Sequence, residues 1–164
     1  MKTLYKTLLI LTLMISCKTR NLDSTKPASV TIEKHENAYQ LYVNGKPFYI
    51  KGAGLEFGQI AALSHHNGNS FRTWRTNNGK QTGKEVLDEA FKKGLYVTMG
   101  LEIARERHGF NYDDEKAVQQ QFKRIKKEVL ELKDHPALLI WAIGNELNLR
   151  YTNPKVWDAV NDIS

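Results

Sequence analysis

Apolar residues fall along this chain in two patterns, short unbroken runs and longer stretches in which they recur every three or four positions. Leu138-Leu139-Ile140-Trp141-Ala142-Ile143 is the clearest run, of the kind found in parallel strands covered on both faces. Leu95 to Leu101 and Asn69 to Trp74 read as two further strands, and Tyr49 to Gly54 as an earlier one, with glycines where backbone passes close to other groups. The intervening stretches carry the helical period. A short segment spans Gln59 to His66; a second covers Lys84 to Lys93, with Val86, Leu87, Ala90 and Phe91 on one face and Gly94 as its stop. The third is the most regular: Val118, Phe122, Ile125, Val129 and Leu132 step by four and three after Asp113 and Asp114, and it ends before Pro136. Asn153-Pro154 supplies an N-cap and first-turn pair for a fourth helix. Upstream, Val30-Thr31-Ile32 and Tyr39 to Val43 pair as strands, and Asn44-Gly45 is a two-residue turn signal leading into Lys46-Pro47-Phe48.

Strand and helix alternate, which predicts an α/β fold with parallel strands and right-handed crossovers. Periodicity alone fits a doubly wound sheet nearly as well, but no glycine-rich phosphate loop follows any strand, which lowers the nucleotide-binding version. The other solution is a (β/α)8 TIM barrel. Such barrels need about 250 residues, and this sequence of 164 reaches only the fourth strand and the start of its helix. The expectation is the N-terminal half of a (β/α)8 barrel at 48–164, preceded by a β-hairpin at 30–47. A half-barrel leaves strand edges unpaired, so the isolated chain is expected to associate, and a monodisperse monomer in sedimentation would count against the fragment reading.

The first residues change the setting rather than the fold. Lys2 and Lys6 precede a short apolar core from Leu8 to Ile15, the pattern of a secretion signal over 1–16. Leu13-Met14-Ile15-Ser16-Cys17 resembles the lipobox of bacterial lipoproteins, whose cysteine becomes the lipidated first residue; an ordinary signal peptide with an incidental cysteine is the alternative. Cys17 is the sole cysteine, so no intrachain disulfide can form. Residues 17–29 are polar and aperiodic, as a flexible tether would be. The expected location is the bacterial cell envelope, on its periplasmic or surface side, with the membrane reached through lipid on Cys17. The formal net charge of +6 includes Lys2 and Lys6. The densest basic cluster, Lys123, Arg124, Lys126 and Lys127 with Lys116, shares the third helix with glutamates, a solvated face rather than a nucleic-acid footprint, so no nucleic-acid partner is expected.

Candidate chemistry sits where the fourth strand ends, at Gly144-Asn145-Glu146. In a (β/α) barrel the C-terminal strand tips carry catalysis. A carboxyl on an apolar strand tip is expected to be partly desolvated, which favours its protonated form and suits a proton donor. The alternative is a structural carboxylate paired with an arginine such as Arg72, or a helix cap. Asn145 either bonds a ligand hydroxyl or satisfies loop backbone. Trp74 and Trp141 either offer flat faces to a ligand or pack the barrel. His65 and His66, neighbours in a helix, point in different directions and receive no role.

These residues carry a family resemblance. His135-Pro136-Ala137 with Ile140 to Glu146 resembles the fourth strand of retaining TIM-barrel glycosidases, and most of all the catalytic domain of glycoside hydrolase family 2, which includes β-galactosidases, β-glucuronidases and β-mannosidases. Asn44 to Phe48 with Lys51-Gly52 resembles that family's lead-in to the first barrel strand, Phe71-Arg72-Thr73-Trp74 its second strand, and Glu106-Arg107-His108-Gly109 its loop after the third. The resemblance implies a retaining glycoside hydrolase acting on a β-linked glycan, without a cofactor. Glu146 would be the acid/base, Asn145 would contact the sugar 2-hydroxyl, and Arg72 would orient the nucleophile. That nucleophile is a glutamate of the seventh strand, so the 164 residues alone are expected to be inactive. A transglycosylase on the same fold and a non-catalytic carbohydrate-binding lipoprotein are the alternatives. Glu106 and His108 are candidate substrate contacts. In some β-galactosidases the matching pair holds a magnesium ion together with the acid/base; a single histidine suits that ion poorly, and no metal is assigned.

Overall fold

The computed structural model describes residue 22 and residues 26–164. The expected signal segment, Cys17 and most of the tether lie outside the described residues. Among these residues no helix is long and apolar enough to cross a membrane.

The lead-in is a three-stranded antiparallel meander of β1 (Val30–His35), β2 (Ala38–Val43) and β3 (Lys46–Pro47), with Val30 opposite Val43 and Tyr42 opposite Pro47. Asn44 and Gly45 both take left-handed φ, +51° and +72°, the geometry that matches a hairpin's twist. The first strand runs three residues beyond the expected Ile32, because Glu36 also turns left-handed (φ +52°) and closes a second tight turn at Glu36-Asn37.

A four-stranded parallel sheet follows, formed by β4 (Gly52–Gly54), β5 (Ser70–Arg72), β6 (Tyr96–Leu101) and β7 (Leu138–Ile143) in that spatial order. Strands adjacent in sequence are adjacent in space throughout. A doubly wound sheet reverses strand order at a switch point, so this ladder is the partial barrel. Among the described residues the α-helices are α1 (Ile60–His65), α2 (Gly83–Lys92), α3 (Glu115–Leu132) and α4 (Lys155–Ile163).

Local chemistry sets the helix ends. Thr82 and Glu85 form a reciprocal capping box that starts α2, and Gly94, at φ +67°, ends the segment as its position suggested. Asp114 accepts the Ala117 N–H at 3.0 Å at the start of α3, and the Asn153 carboxamide accepts the Lys155 N–H at 3.0 Å ahead of α4.

Val86, Leu87 and Ala90 of α2 pack on Leu95, Val97 and Met99 to form the main core. A second cluster joins Leu101, Ile103 and Ile125 to Val156 and Ala159 of α4. Val43, Tyr96 and Leu139 form the third with Phe48, whose ring meets Tyr96 edge-on at 5.5 Å. The meander therefore packs where β6 and β7 begin, which leaves the opposite, C-terminal strand tips open.

Candidate active site

Each parallel strand delivers a polar residue at or just beyond its C-terminal tip: Glu56 after β4, Arg72 at the end of β5, Glu102 after β6, and Asn145 with Glu146 after β7. The last pair leaves its strand through Gly144, at φ +73°, where a Cβ would lie 2.7 Å from the Leu147 side chain. Glu146 is itself left-handed, at φ +51°. That region is sparsely populated by residues other than glycine and persists only where the surroundings hold it.

Arg72 and Asn145 come together across the sheet. The Arg72 Nη2 donates to Asn145 Oδ1 at 3.2 Å and makes a longer contact, 3.5 Å, to the Gly144 carbonyl. Arg72 Nε is buried without a hydrogen-bond partner. A buried guanidinium N–H lacking an acceptor is costly, and a carboxylate facing it would satisfy it.

Glu146 departs from the expected environment. Its side chain is 62% exposed, not desolvated, and its ion-pair partner is Arg107 rather than Arg72, with Nη2 at 3.1 Å from Oε2. An apolar strand fixes where its tip lies but not what covers the tip, and no described residue covers this one. Arg107 also donates from Nη1 to the Glu146 carbonyl at 2.5 Å and, more weakly, to that of Leu149 at 3.4 Å. Nothing in the sequence singles Arg107 out beyond its place between Glu106 and His108.

Glu106 does not join Glu146. Its carboxylate accepts the N–H groups of Thr152 and Asn153 and the Thr152 hydroxyl, which ties down the far end of the β7–α4 loop. The Asn153 and Thr152 N–H groups hold this carboxyl below the usual glutamate range. A depressed carboxyl stabilises its contacts above the unfolded-state pKa, and that contribution is lost as pH falls through the folded value. The Thr152 and Asn153 amide resonances are therefore expected to titrate together with a midpoint below the ordinary value of about 4.3. A midpoint at or above that value in an amide NMR titration would remove the clamp.

His108 lines a cavity of about 590 Å³ with Arg75, Arg105, Arg124, Glu102 and Glu128, a lining that does not include Glu106. A magnesium site shared by Glu106, His108 and Glu146 does not fit this arrangement, since one carboxylate is committed to loop N–H groups and the other to a guanidinium. Among the described residues no group of three or more metal-ligating side chains gathers. Glu56 is occupied with the Trp74 N–H at 2.6 Å and Arg75 at 2.8 Å. The Trp74 ring packs over Gly54 of β4, and Trp141 is half-buried against two core clusters.

The family model for the TIM barrel domain of glycosyl hydrolases family 2 matches residues 58–163. Among solved structures, the β-glucuronidase from Ruminococcus gnavus superposes with a TM-score of 0.58 at 18% identity, over 83% of this chain and 25% of that one. A β-glucuronidase from Ruminococcus gnavus in complex with C6-substituted uronic isofagomine gives 0.58 at 17% identity, covering 83% and 24%. In complex with D-glucaro-d-lactam it gives 0.52 at 16%, covering 83% and 24%. At such identities the likeness is one of fold, and the chain spans about a quarter of the length of those structures. No curated protein sequence matches it.

Proposed function

The chain belongs to family 2 of the glycosyl hydrolases, and from that membership we propose that it supplies the acid/base side of a retaining β-glycosidase site. The observation that carries this reading is the placement of Asn145 and Glu146 at the tip of β7, with Arg72 bonded to Asn145 and holding a buried N–H in need of an acceptor. Glu146 protonates the glycosidic oxygen as the bond to C1 breaks. A second carboxylate, about 5 to 5.5 Å away, attacks C1 from the other side and forms the glycosyl ester. Glu146, now ionised, takes a proton from the water that opens that ester. Arg72 orients the second carboxylate, which belongs to a seventh strand outside these residues, and Asn145 bonds the 2-hydroxyl of the sugar. We place Trp74 and His108 beside the substrate, and leave Trp141 and Glu106 to packing and loop support.

The test is the anomer first released by the intact gene product from an aryl β-glycoside, followed by proton NMR. The β-anomer is expected first. Release of the α-anomer first, or no turnover at all, refutes the reading.

We also propose the division into a leader at 1–16, a tether at 17–29, the meander at 30–47 and the barrel segment from 48, with lipid on Cys17 holding the enzyme at the cell envelope beside a β-linked glycan. Cys17→Ser is expected to move the protein from the membrane fraction to the soluble fraction. An unchanged distribution refutes the anchor.

A further inference from the structure

We propose that Arg107 is a positioning residue for the acid/base carboxyl, so that the loop after β6 sets the orientation of Glu146; this rests on the role given to Glu146 above. One guanidinium bonds two parts of the same residue. Its Nη2 meets Glu146 Oε2 at 3.1 Å, while its Nη1 donates to the Glu146 carbonyl at 2.5 Å. The remaining contact, to the Leu149 carbonyl at 3.4 Å, reaches the next turn of the same loop. A planar fork can serve a carboxylate and a carbonyl together, whereas a lysine ammonium on a flexible stem is a single point charge.

Exposure shows which partner is held and which does the holding. The Arg107 side chain is only 15% exposed and the Glu146 side chain 62%. Glu146 also occupies a left-handed backbone position that needs external support, and the Arg107 bond to its carbonyl supplies that support. The adjacent Glu106 grips Thr152 and Asn153, so the 3-10 turn Glu106–His108 brackets the acid-bearing loop at both ends. An exposed ion pair contributes little to stability. Proton transfer to a departing oxygen, by contrast, requires the donor at hydrogen-bond distance and angle, and a side chain hanging free in solvent would spend little time there.

The consequence depends on the leaving group. When the glycosidic oxygen must leave as an alcohol or a phenol of ordinary basicity, it takes the Glu146 proton as the C1–O bond breaks. A 2,4-dinitrophenolate departs without that proton. The intact gene product, with its Arg107→Gln, Arg107→Lys and Glu146→Gln variants, is therefore assayed on phenyl and 2,4-dinitrophenyl β-glucosides, β-galactosides and β-glucuronides. Arg107→Gln is expected to lose about tenfold or more in kcat/KM on the phenyl glycosides and to change little on the dinitrophenyl ones. Arg107→Lys, which keeps the charge and loses the fork, shows the same dependence on leaving group. Equal loss on both substrates, or a lysine variant indistinguishable from the wild type, overturns the proposal. If Glu146→Gln itself lacks the leaving-group dependence, or the wild type turns over none of the glycosides, the assignment of Glu146 fails first and this inference falls with it.

Discussion

Glu146→Gln is expected to lower kcat/KM of the intact gene product on unactivated β-glycosides by about 10²- to 10⁴-fold, the usual contribution of a positioned general acid. The amide matches the carboxyl in size and keeps an oxygen that can accept from Arg107, but it has no proton to give. The fold should be indifferent to the change. The side chain is mostly exposed, so its ion pair is screened, and exposed pairs contribute about 0 to 1 kcal/mol. Kinetics and thermal unfolding measured on the same preparation separate the two readings of this residue. A large kinetic loss at an unchanged Tm identifies the acid. A lowered Tm with activity retained identifies a structural carboxylate whose work is to anchor the loop through Arg107.

The fold was largely legible because its signals are local. The apolar period of α3, the two left-handed residues at Asn44-Gly45 and the cap at Asp114 are each set by residues within a turn or two of one another. What the sequence left ambiguous, barrel or doubly wound sheet, is a matter of strand order, which periodicity does not encode. The position of Glu146 on a strand tip was legible for the same local reason. Its environment was not, because that depends on Arg107, 39 residues away in the chain.

Gln121 shows the same limit. On the apolar face of α3 it reads as an interruption, yet it is buried with its Oε1 accepting the Ala104 N–H at 2.7 Å, while the Tyr112 hydroxyl donates to the Ala104 carbonyl. Both bonds fix the chain leaving β6, just before the turn that carries Glu106 and Arg107. Asn69 does comparable work at the other end of the sheet, where its carboxamide bonds the Lys51 N–H and the Tyr49 carbonyl at 2.7 Å each and ties the start of β4 to β5. Polar residues inside apolar patterns thus mark the long-range joints of this fold, and pattern alone does not name their partners.

Gly100→Val is expected to destabilise the protein by about 3 kcal/mol or more, at the upper end of what overpacking costs. A Cβ at this position would lie 2.4 Å from the Trp74 carbonyl carbon and 2.6 Å from the Thr73 oxygen. Both obstacles are backbone, which cannot rotate aside as a flexible side chain would, so even Gly100→Ala must push the end of β5 away from β6. The Gly100 N–H also donates to Thr73 Oγ1 at 3.0 Å, a bond between fully buried groups that the displacement would stretch. Leu95→Met, a nearly equal-volume change in the same buried core, should cost less than about 1.5 kcal/mol and serves as the control. Urea unfolding of the intact protein measures both. The effect should reach the site as well, because Arg72 precedes Thr73 on the strand that moves and its bond to Asn145 spans β5 to β7. Wild-type stability in Gly100→Val would mean that β5 and β6 do not approach this closely at their tips. Arg72 would then lose the placement that brings it to Asn145 and, through it, to the acid of the site.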